Sequence, residues 1–578
     1  MPRYYVRPLF LVVFLCLAWP VAALAADAFV LPDEARGLLS AEPALIVAVT
    51  SLNEMADQYV ALLSALSDED EASRDDVLKL LDQAVPALAG VVDLDRPLVV
   101  AAELPDMTGS GEPPFTFILP LRSDVTDREN LPGLESFAGH AFAGSYLAVS
   151  MAPDYAPTAT PPALAAHLTD GVLSATLDLE QVLLVMGPLV EMGLANIPVR
   201  PAVAPGDSLP AAPAAAMAAA EAAALADLVR QLMASVSRLD FSLGRDQERL
   251  AWHTGLGVKP GSALDPGPQP PFAEALALSA SLPADASFHQ VTALDQTTVF
   301  ETFREYYILT MMNSLQGLDP DQNEHYRAWI ENYVDAMDIW ASPMASALRL
   351  DDLGVGAQMI IAPKDPQGAV ERLTGMLDSV NDLQIGYHLT RRPDAVVAGV
   401  NFRAWTVELD VEQFAALMPE SGPMSGPGTL EVEQMVAILG KVLPDIHLGE
   451  NQGRVYLTAD DGAEALGTMV MGNARRTTPP VAVASAAAWA GPDAHQVVTG
   501  DILSIINWMT EWYNELDNAQ LEVIKGNPVP FRGAFTLTGP EYGFDLSLDL
   551  QSLARLARAV QQLESTTHPS DPPEQVER

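Results

Sequence analysis

A phrase near the start of this chain recurs in its second half, and that repetition constrains the fold more than any single motif does. Ala44-Leu-Ile-Val-Ala-Val-Thr-Ser-Leu52 reads as a strand running into a helix that reaches about Leu66. Ala286-Ser-Phe-His-Gln-Val-Thr-Ala-Leu294 reads the same way, with a helix from about Thr298 to Leu315. At a constant offset of 242, Ala44, Val49, Thr50 and Leu52 meet Ala286, Val291, Thr292 and Leu294. Polar residues, Asn53 and Asp295, then stand where a helix N-cap is expected.

The later parts of the chain match as well. Leu173 to Leu179 is strand-like and runs through Asp178 into the apolar helix Val182–Met192. His495 to Thr499 runs through Asp501 into Ile502–Leu516. A strand–turn–strand follows each: Leu239–Leu243 with Leu250–Val258, and Ala534–Leu537 with Tyr542–Leu550. Alternating apolar residues around polar or Gly/Pro-bearing turns are hairpin signals. A third hairpin, Ala347 to Ile361, turns near Asp351-Asp352 and leads into the helix Pro366–Leu377.

These patterns predict an α+β protein of two related halves, each a mainly antiparallel sheet with packed helices. The halves are expected at 26–265 and 272–565, joined by a Pro/Gly-rich linker at 266–271, with a disordered tail at 566–578. The prolines and alanines from Pro198 to Pro213 read as a long loop, and Ala214 to Ser237 as a helix. The Val49-Thr50-x-Leu52 opening and the Asp178 and Asp501 strand-into-helix phrases, each with its hairpin, resemble a broad class of large, duplicated, functionally uncharacterised exported bacterial proteins. That resemblance covers most of the chain and brings no catalytic residues with it.

The N-terminus carries an export signal. Arg3 and Arg7 supply positive charge, Leu9 to Leu17 an apolar run, Pro20 a helix breaker, and Ala23-Leu24-Ala25 a small-x-small cleavage site. The apolar run is shorter than the roughly 20 residues that span a bilayer. Cleavage after residue 25 is therefore expected, with no membrane span in the mature chain and a periplasmic or extracellular destination. The sole cysteine, Cys16, lies inside the discarded segment. Disulfides, thiol catalysis and cysteine-ligated metals are thereby excluded from the mature protein.

The charge is −45, and removal of Arg3 and Arg7 takes it to −47. Such a field repels phosphate backbones and anionic membrane surfaces, so nucleic acid is excluded as a partner. With 49% apolar residues the chain is nevertheless globular rather than disordered.

Motifs for chemistry are sparse. The nine histidines are dispersed and His-Glu-x-x-His is absent. The acid–histidine neighbours at Asn323-Glu324-His325 and Asp445-Ile446-His447 read as surface decoration. Gly144-Ser145-Tyr146 lacks the second glycine of a nucleophile elbow and reads as part of a strand. Thr108-Gly-Ser-Gly-Glu112 has no following lysine or helix to make a phosphate cradle. The acid run Ser67-Asp-Glu-Asp-Glu71 reads as a solvated loop before the helix Asp75–Leu88. Asp319-Pro-Asp321-Gln-Asn323-Glu324 starts like a calcium loop, but Glu324 and Ile330 occupy its sixth and twelfth positions. An EF-hand needs Gly and a bidentate Glu there, so a weak calcium contact is the most this stretch supports.

No catalytic, cofactor-binding or metal-ligating residue is therefore assigned from sequence. Aromatic and Met residues stripe two helices at near-helical spacing: Phe300, Phe303, Tyr307 and Met311 in one, and Ile505, Trp508 and Trp512 in the other. Such stripes pack a core by default, or line an apolar cleft. On the second reading Phe303, Tyr307, Trp508 and Trp512 form a ligand cleft. The expected function is non-enzymatic binding or scaffolding, with an unknown protein or a hydrophobic small molecule as partner. A lipid carrier and a carboxylate-dependent hydrolase are the alternatives. Two close, buried acids in a cleft would favour the hydrolase, and a long apolar cavity the carrier.

Overall fold

The computed structural model describes residues 31–66, 75, 88–104, 114–152, 155–158, 160, 162–168, 171–195, 211–246, 249–295, 297–314, 320–351, 354–383, 387–410, 445–459, 466–471, 478–504 and 526–567. The expected export signal (1–25), Thr108–Glu112, Ser67–Glu71, residues 198–210 of the expected long loop and 568–578 of the expected tail lie outside these residues.

The chain is α+β. Its strands are β1 (Leu45–Val49), β2 (Leu98–Ala102), β3 (Phe115–Pro120), β4 (Gly139–Ala143), β5 (Tyr146–Ser150), β6 (Leu173–Asp178), β7 (Val236–Asp246), β8 (Arg249–Val258) and β9 (Phe288–Thr292). They continue as β10 (Met344–Asp351), β11 (Gly354–Ile361), β12 (Tyr387–Val397), β13 (Val400–Leu409), β14 (Ile446–Asn451), β15 (Arg454–Ala459), β16 (Ala494–Asp501), β17 (Pro530–Leu537) and β18 (Glu541–Asp549). The longer helices are α1 (Leu52–Leu66), α2 (Leu179–Ala195), α3 (Ala211–Ser235), α4 (Thr297–Ser314), α5 (Pro320–Asp335), α6 (Pro366–Ser379), α7 (Val481–Ala490) and α8 (Leu550–Thr567).

The residues fall into two compact units, each discontinuous in sequence. Unit 1 comprises 1–191, 236–258 and 522–578, and unit 2 comprises 192–235 and 259–521. In unit 1 the strands pair antiparallel in the order β4-β5-β3-β2-β1-β6-β7-β8-β18-β17. In unit 2 the order is β12-β13-β14-β15-β11-β10-β9-β16, again antiparallel. The run β4-β5-β3-β2-β1-β6 therefore has the same order of connection as β14-β15-β11-β10-β9-β16.

The hydrogen bonds that close β1 and β9 also correspond. Asp178 N–H donates to Ala44 O, and Asp501 N–H to Ser287 O. Thr50 N–H donates to Val172 O, and Ala293 N–H to His495 O. These pairs, like the strand starts Leu45 and Phe288, put the offset at 243 rather than 242. In a strand a one-residue slip moves every side chain to the other face. Matching letters drew Thr50 onto Thr292, whereas the ladder puts Thr50 level with Ala293.

Local chemistry explains the strand-to-helix junctions. Asp178 accepts from Gln181 N–H at 3.0 Å, and Asp501 accepts from Leu503 N–H at 3.0 Å. Each carboxylate satisfies an amide that the new helix leaves unpaired. Asp365 does the same for Gly368 ahead of α6, with Pro366 in the first turn.

The oxygen-rich stretch after Asp319 is helical from Pro320, a residue suited to the first turn of a helix. One sequence expectation is corrected here. Gly144-Ser145 is the turn between β4 and β5 rather than strand, with Gly144 at φ 53°, a left-handed value that glycine adopts freely.

The cores of unit 1 lie on both faces of β1 and β2. Ile46, Ala48, Val99 and Ile118 pack under Leu31, Leu38 and Leu39, while Val49, Leu98, Leu119 and Leu147 face Leu52, Leu88 and Leu131. In unit 2, Ile361, Trp405, Leu448 and Val455 are covered by Ala369, Val370 and Leu373 of α6 and by Ile339.

Candidate functional site

The most unusual chemistry in unit 1 lies where β6, β7, β8 and β18 run side by side. Along β7 the usual alternation is inverted. Asp240 and Ser242 are buried at 2% and 3% exposure, while Leu239 is 37% exposed and Phe241 and Leu243 are only partly covered. Register places Thr176, Asp240 and Gly255 in one row and Ser242, His253 and Asp545 in the next, all on the same face.

Arg238 organises one end of this face. Its Nε donates to Asp240 Oδ2 at 2.7 Å, an ion pair with both side chains largely covered. Thr176 Oγ1 donates to Asp240 Oδ1 at 2.6 Å, so both carboxylate oxygens are engaged. Another Arg238 nitrogen donates to His167 Nε2 at 3.0 Å. Burial, and then the Arg238 charge, push the His167 pKa down, which keeps the ring neutral and able to accept. Arg238 also pairs with Glu541 on β18, although Gly257 of β8 stands between them in the register. A Cβ at Gly257 would lie 3.2 Å from Arg238 Cβ and 3.5 Å from its Cζ, so the glycine is what lets the guanidinium cross over β8.

Farther along, His253 Nδ1 and Asp545 Oδ1 are 3.1 Å apart across the β8–β18 pairing. Burial raises the Asp545 pKa to about 6, against the lowering contributed by His253. The other carboxylate oxygen, Oδ2, is buried and has no hydrogen-bond partner, and neither has Ser547 Oγ two residues on. Chemically, this pair orients an imidazole and holds a carboxyl group that titrates near neutrality, features shared by acid–base sites and by structural networks alike.

A second feature is α2. Its 17 residues, from Leu179 to Ala195, are mostly apolar, yet none is buried. Leu184 is 81% exposed, and Met186 and Leu189 are exposed as well. Its Pro188 lies within the helix. Among the described residues, no helix is long and apolar enough to cross a membrane.

Of the four aromatic residues singled out from sequence, two are among the described residues. Phe303 and Tyr307 lie half-buried on α4. Tyr307 meets Phe300 edge-on at 5.6 Å and packs against Ile308, Tyr326, Ile330 and Val334, an apolar cluster shared with α5. Trp508 and Trp512 lie outside the described residues. His447, expected at the surface, is buried on β14 at 5% exposure, and burial lowers its pKa. Its neighbour Asp445 lies just ahead of the strand and pairs with Arg392.

Sequence reasoning passed over Thr176, Arg238, Asp240, His253 and Asp545. The available signal was period-two polarity at Arg238-x-Asp240-x-Ser242 and Glu541-x-Gly543-x-Asp545-x-Ser547. Among the described residues no group of three or more His, Cys, Asp or Glu is arranged to hold a metal ion. No protein-family model, curated protein or solved structure matches the chain.

Proposed function

We propose that this is an exported bacterial protein of the periplasm or cell surface, built from two related halves, that works by binding a protein partner through α2. Three lines of support come from different levels. The N-terminal charge, apolar run and Ala23-Leu24-Ala25 site support export. The shared strand order and the paired closing hydrogen bonds of β1 and β9 support duplication. The observation that carries the binding role is the apolar helix with no buried residue.

A helix of this composition gains nothing from facing water, since each fully buried Leu or Met is worth about 1.5–3 kcal/mol. Exposed apolar patches of this kind mark interaction surfaces. At 1.5 Å per residue α2 offers a strip roughly 25 Å long, a match for a helix laid alongside it. Its only charged residues are Glu180 and Glu191, on a chain whose net charge is −45. The complementary partner is an amphipathic helix with an apolar face and a basic rim.

A synthetic 18-residue Leu/Lys amphipathic helix is a suitable probe. Wild-type protein is expected to bind it, and Leu184→Glu to weaken binding about tenfold. The sign is decisive: a purely electrostatic complex would tighten on gaining a negative charge. Tighter or unchanged binding in Leu184→Glu would overturn the α2 reading. Binding of phosphatidylcholine vesicles in preference to the peptide would replace it with the lipid-carrier alternative.

A further inference from the structure

We propose that the outer edge of β4 is a docking site for an extended segment of a protein partner, which pairs antiparallel with it as β13 pairs with β14. This site is separate from α2. It rests on the strand order described above and not on the binding role assigned to that helix.

β4 and β14 hold the same place in their sheets. Each opens a hairpin with a two-residue turn, Gly144-Ser145 after Ala143 and Gln452-Gly453 after Asn451. Counting back from the turns sets Gly139, His140 and Ala141 level with His447, Leu448 and Gly449. What lies beyond them differs. β13 pairs with β14 through Phe402↔Gly449, Arg403↔Leu448, Ala404↔His447 and Trp405↔Ile446, and there His447, Leu448 and Gly449 are all buried. Among the described residues no strand pairs with the outer side of β4. His140 is accordingly exposed and Gly139 and Ala141 half-buried, although β5 beside them is buried throughout.

A bare edge is a template for another chain unless it is guarded. The edge strand of unit 2, β12, is guarded: Pro393 sits in a bulge between Arg392 and Ala395, beside exposed Arg391 and Arg392. β4 reads Gly-His-Ala-Phe-Ala, with no proline, no bulge and no Asp, Glu, Lys or Arg. In a two-residue hairpin the residues flanking the turn form a hydrogen-bonded pair, and such pairs then alternate along the strand. Ala143, Ala141 and Gly139 therefore direct their backbone groups to β5, while those of His140 and Phe142 point outward. Ala141 stands where Gly449 faces Phe402, and a residue this small leaves room for a large apolar side chain on the incoming strand. On the other face the His140 and Phe142 rings meet edge-on at 6.0 Å and offer an aromatic surface. A charge of −45 on each copy opposes pairing with a second copy and favours a strand with basic flanks.

The probe is a synthetic peptide with the sequence of β13, Val400 to Leu409, and two lysines added at each end. With the full chain it is expected to slow amide hydrogen exchange at His140 and Phe142 by at least about tenfold and to leave Ala141 unchanged. His140→Pro removes an outward N–H at an exposed edge position that tolerates proline, and should weaken binding at least about tenfold, whereas His140→Ala should keep it. The same peptide with proline in place of its arginine should not bind, and this control and the exchange pattern carry the test if His140→Pro fails to fold. Leu184→Glu on α2 is expected to leave binding in place; loss of binding there would move the peptide to α2 and overturn the β4 site. No binding at about 1 mM peptide, or binding that His140→Pro leaves unaltered, would overturn it as well. Slowed exchange at His140 and Phe142 that appears without peptide and grows with protein concentration would replace the partner by a second copy of the chain.

Discussion

One face in each unit buries a different chemistry behind an antiparallel hydrogen-bonded frame. On β13, β14, β15 and β11 of unit 2 the covered side chains are Trp405, Leu448, Val455 and Ile361, beneath α6. On one face of β7 and β18 of unit 1 they are Asp240, Ser242, Asp545 and Ser547. Antiparallel pairing satisfies the backbone in both places, so the ladder itself is indifferent to what its faces carry. The energetics are not. Apolar burial stabilises by about 25 cal/mol per Å², whereas buried ion pairs come close to break-even once desolvation is counted. The unit 2 face is thus a source of stability, and the unit 1 face a fixed arrangement of polar groups.

The largest expected effect tests the apolar side of that contrast. Trp405 is fully buried and its Nε1 donates to Asp378 Oδ1 at 2.8 Å. Trp405→Ala should cost about 3–5 kcal/mol, read as a lower urea midpoint. A loss below about 1 kcal/mol would show that unit 2 does not depend on this cluster.

The polar side should respond with the opposite sign. Asp545 has a folded pKa of about 6, raised above its ordinary value of 3.8 mainly by burial. Its proton is held more tightly in the folded state, so the stability it contributes is full below pH 4 and is lost as pH rises through 6. Asp545→Asn removes the buried charge and keeps an acceptor for His253. It should therefore stabilise the protein at pH 7.5 by up to about 3 kcal/mol, with the gap closing by about pH 4. A variant that is less stable at pH 7.5 would show that the charged pair with His253 is a net stabiliser and would erase the contrast.

A smaller effect probes the close packing of unit 2. Phe402 lies over its cross-strand partner Gly449, and a Cβ there would come within 2.5 Å of the Phe402 ring. Gly449→Ala should cost about 1–3 kcal/mol because the ring has to move off its seat. An unchanged denaturation midpoint would mean that the ring has room to shift. The smallest effect belongs to α2. Leu184 is 81% exposed, so Leu184→Glu should change stability by no more than about 0.5 kcal/mol. A larger loss would show that Leu184 is packed in solution.

Much of the element list was legible because local rules set it. The hairpins at β7–β8, β10–β11 and β17–β18, and the helices entered through Asp178, Asp365 and Asp501, follow from alternation, turns and N-caps. What was missed depended on partners far away in sequence. Asp240 meets Thr176, Arg238 meets Glu541, and His253 meets Asp545, which is 292 residues distant. Alternation along β7 shows that the two faces differ. It does not show which one is covered, and the expectation that polar residues face water fails here because Thr176 and Arg238 satisfy the buried carboxylate, with Arg238 in turn bonded to His167.

By itself the sequence determined the α+β class, the antiparallel hairpins and the capped strand-to-helix junctions, because each depends on residues within a few positions of one another. Only the tertiary structure decided which distant strands flank β1 and β9, the side of the sheet that is buried in unit 1, and the exposure of α2. Those outcomes turn on which distant strand or helix lies alongside, and a pattern that repeats every two or 3.6 residues carries no record of its neighbour.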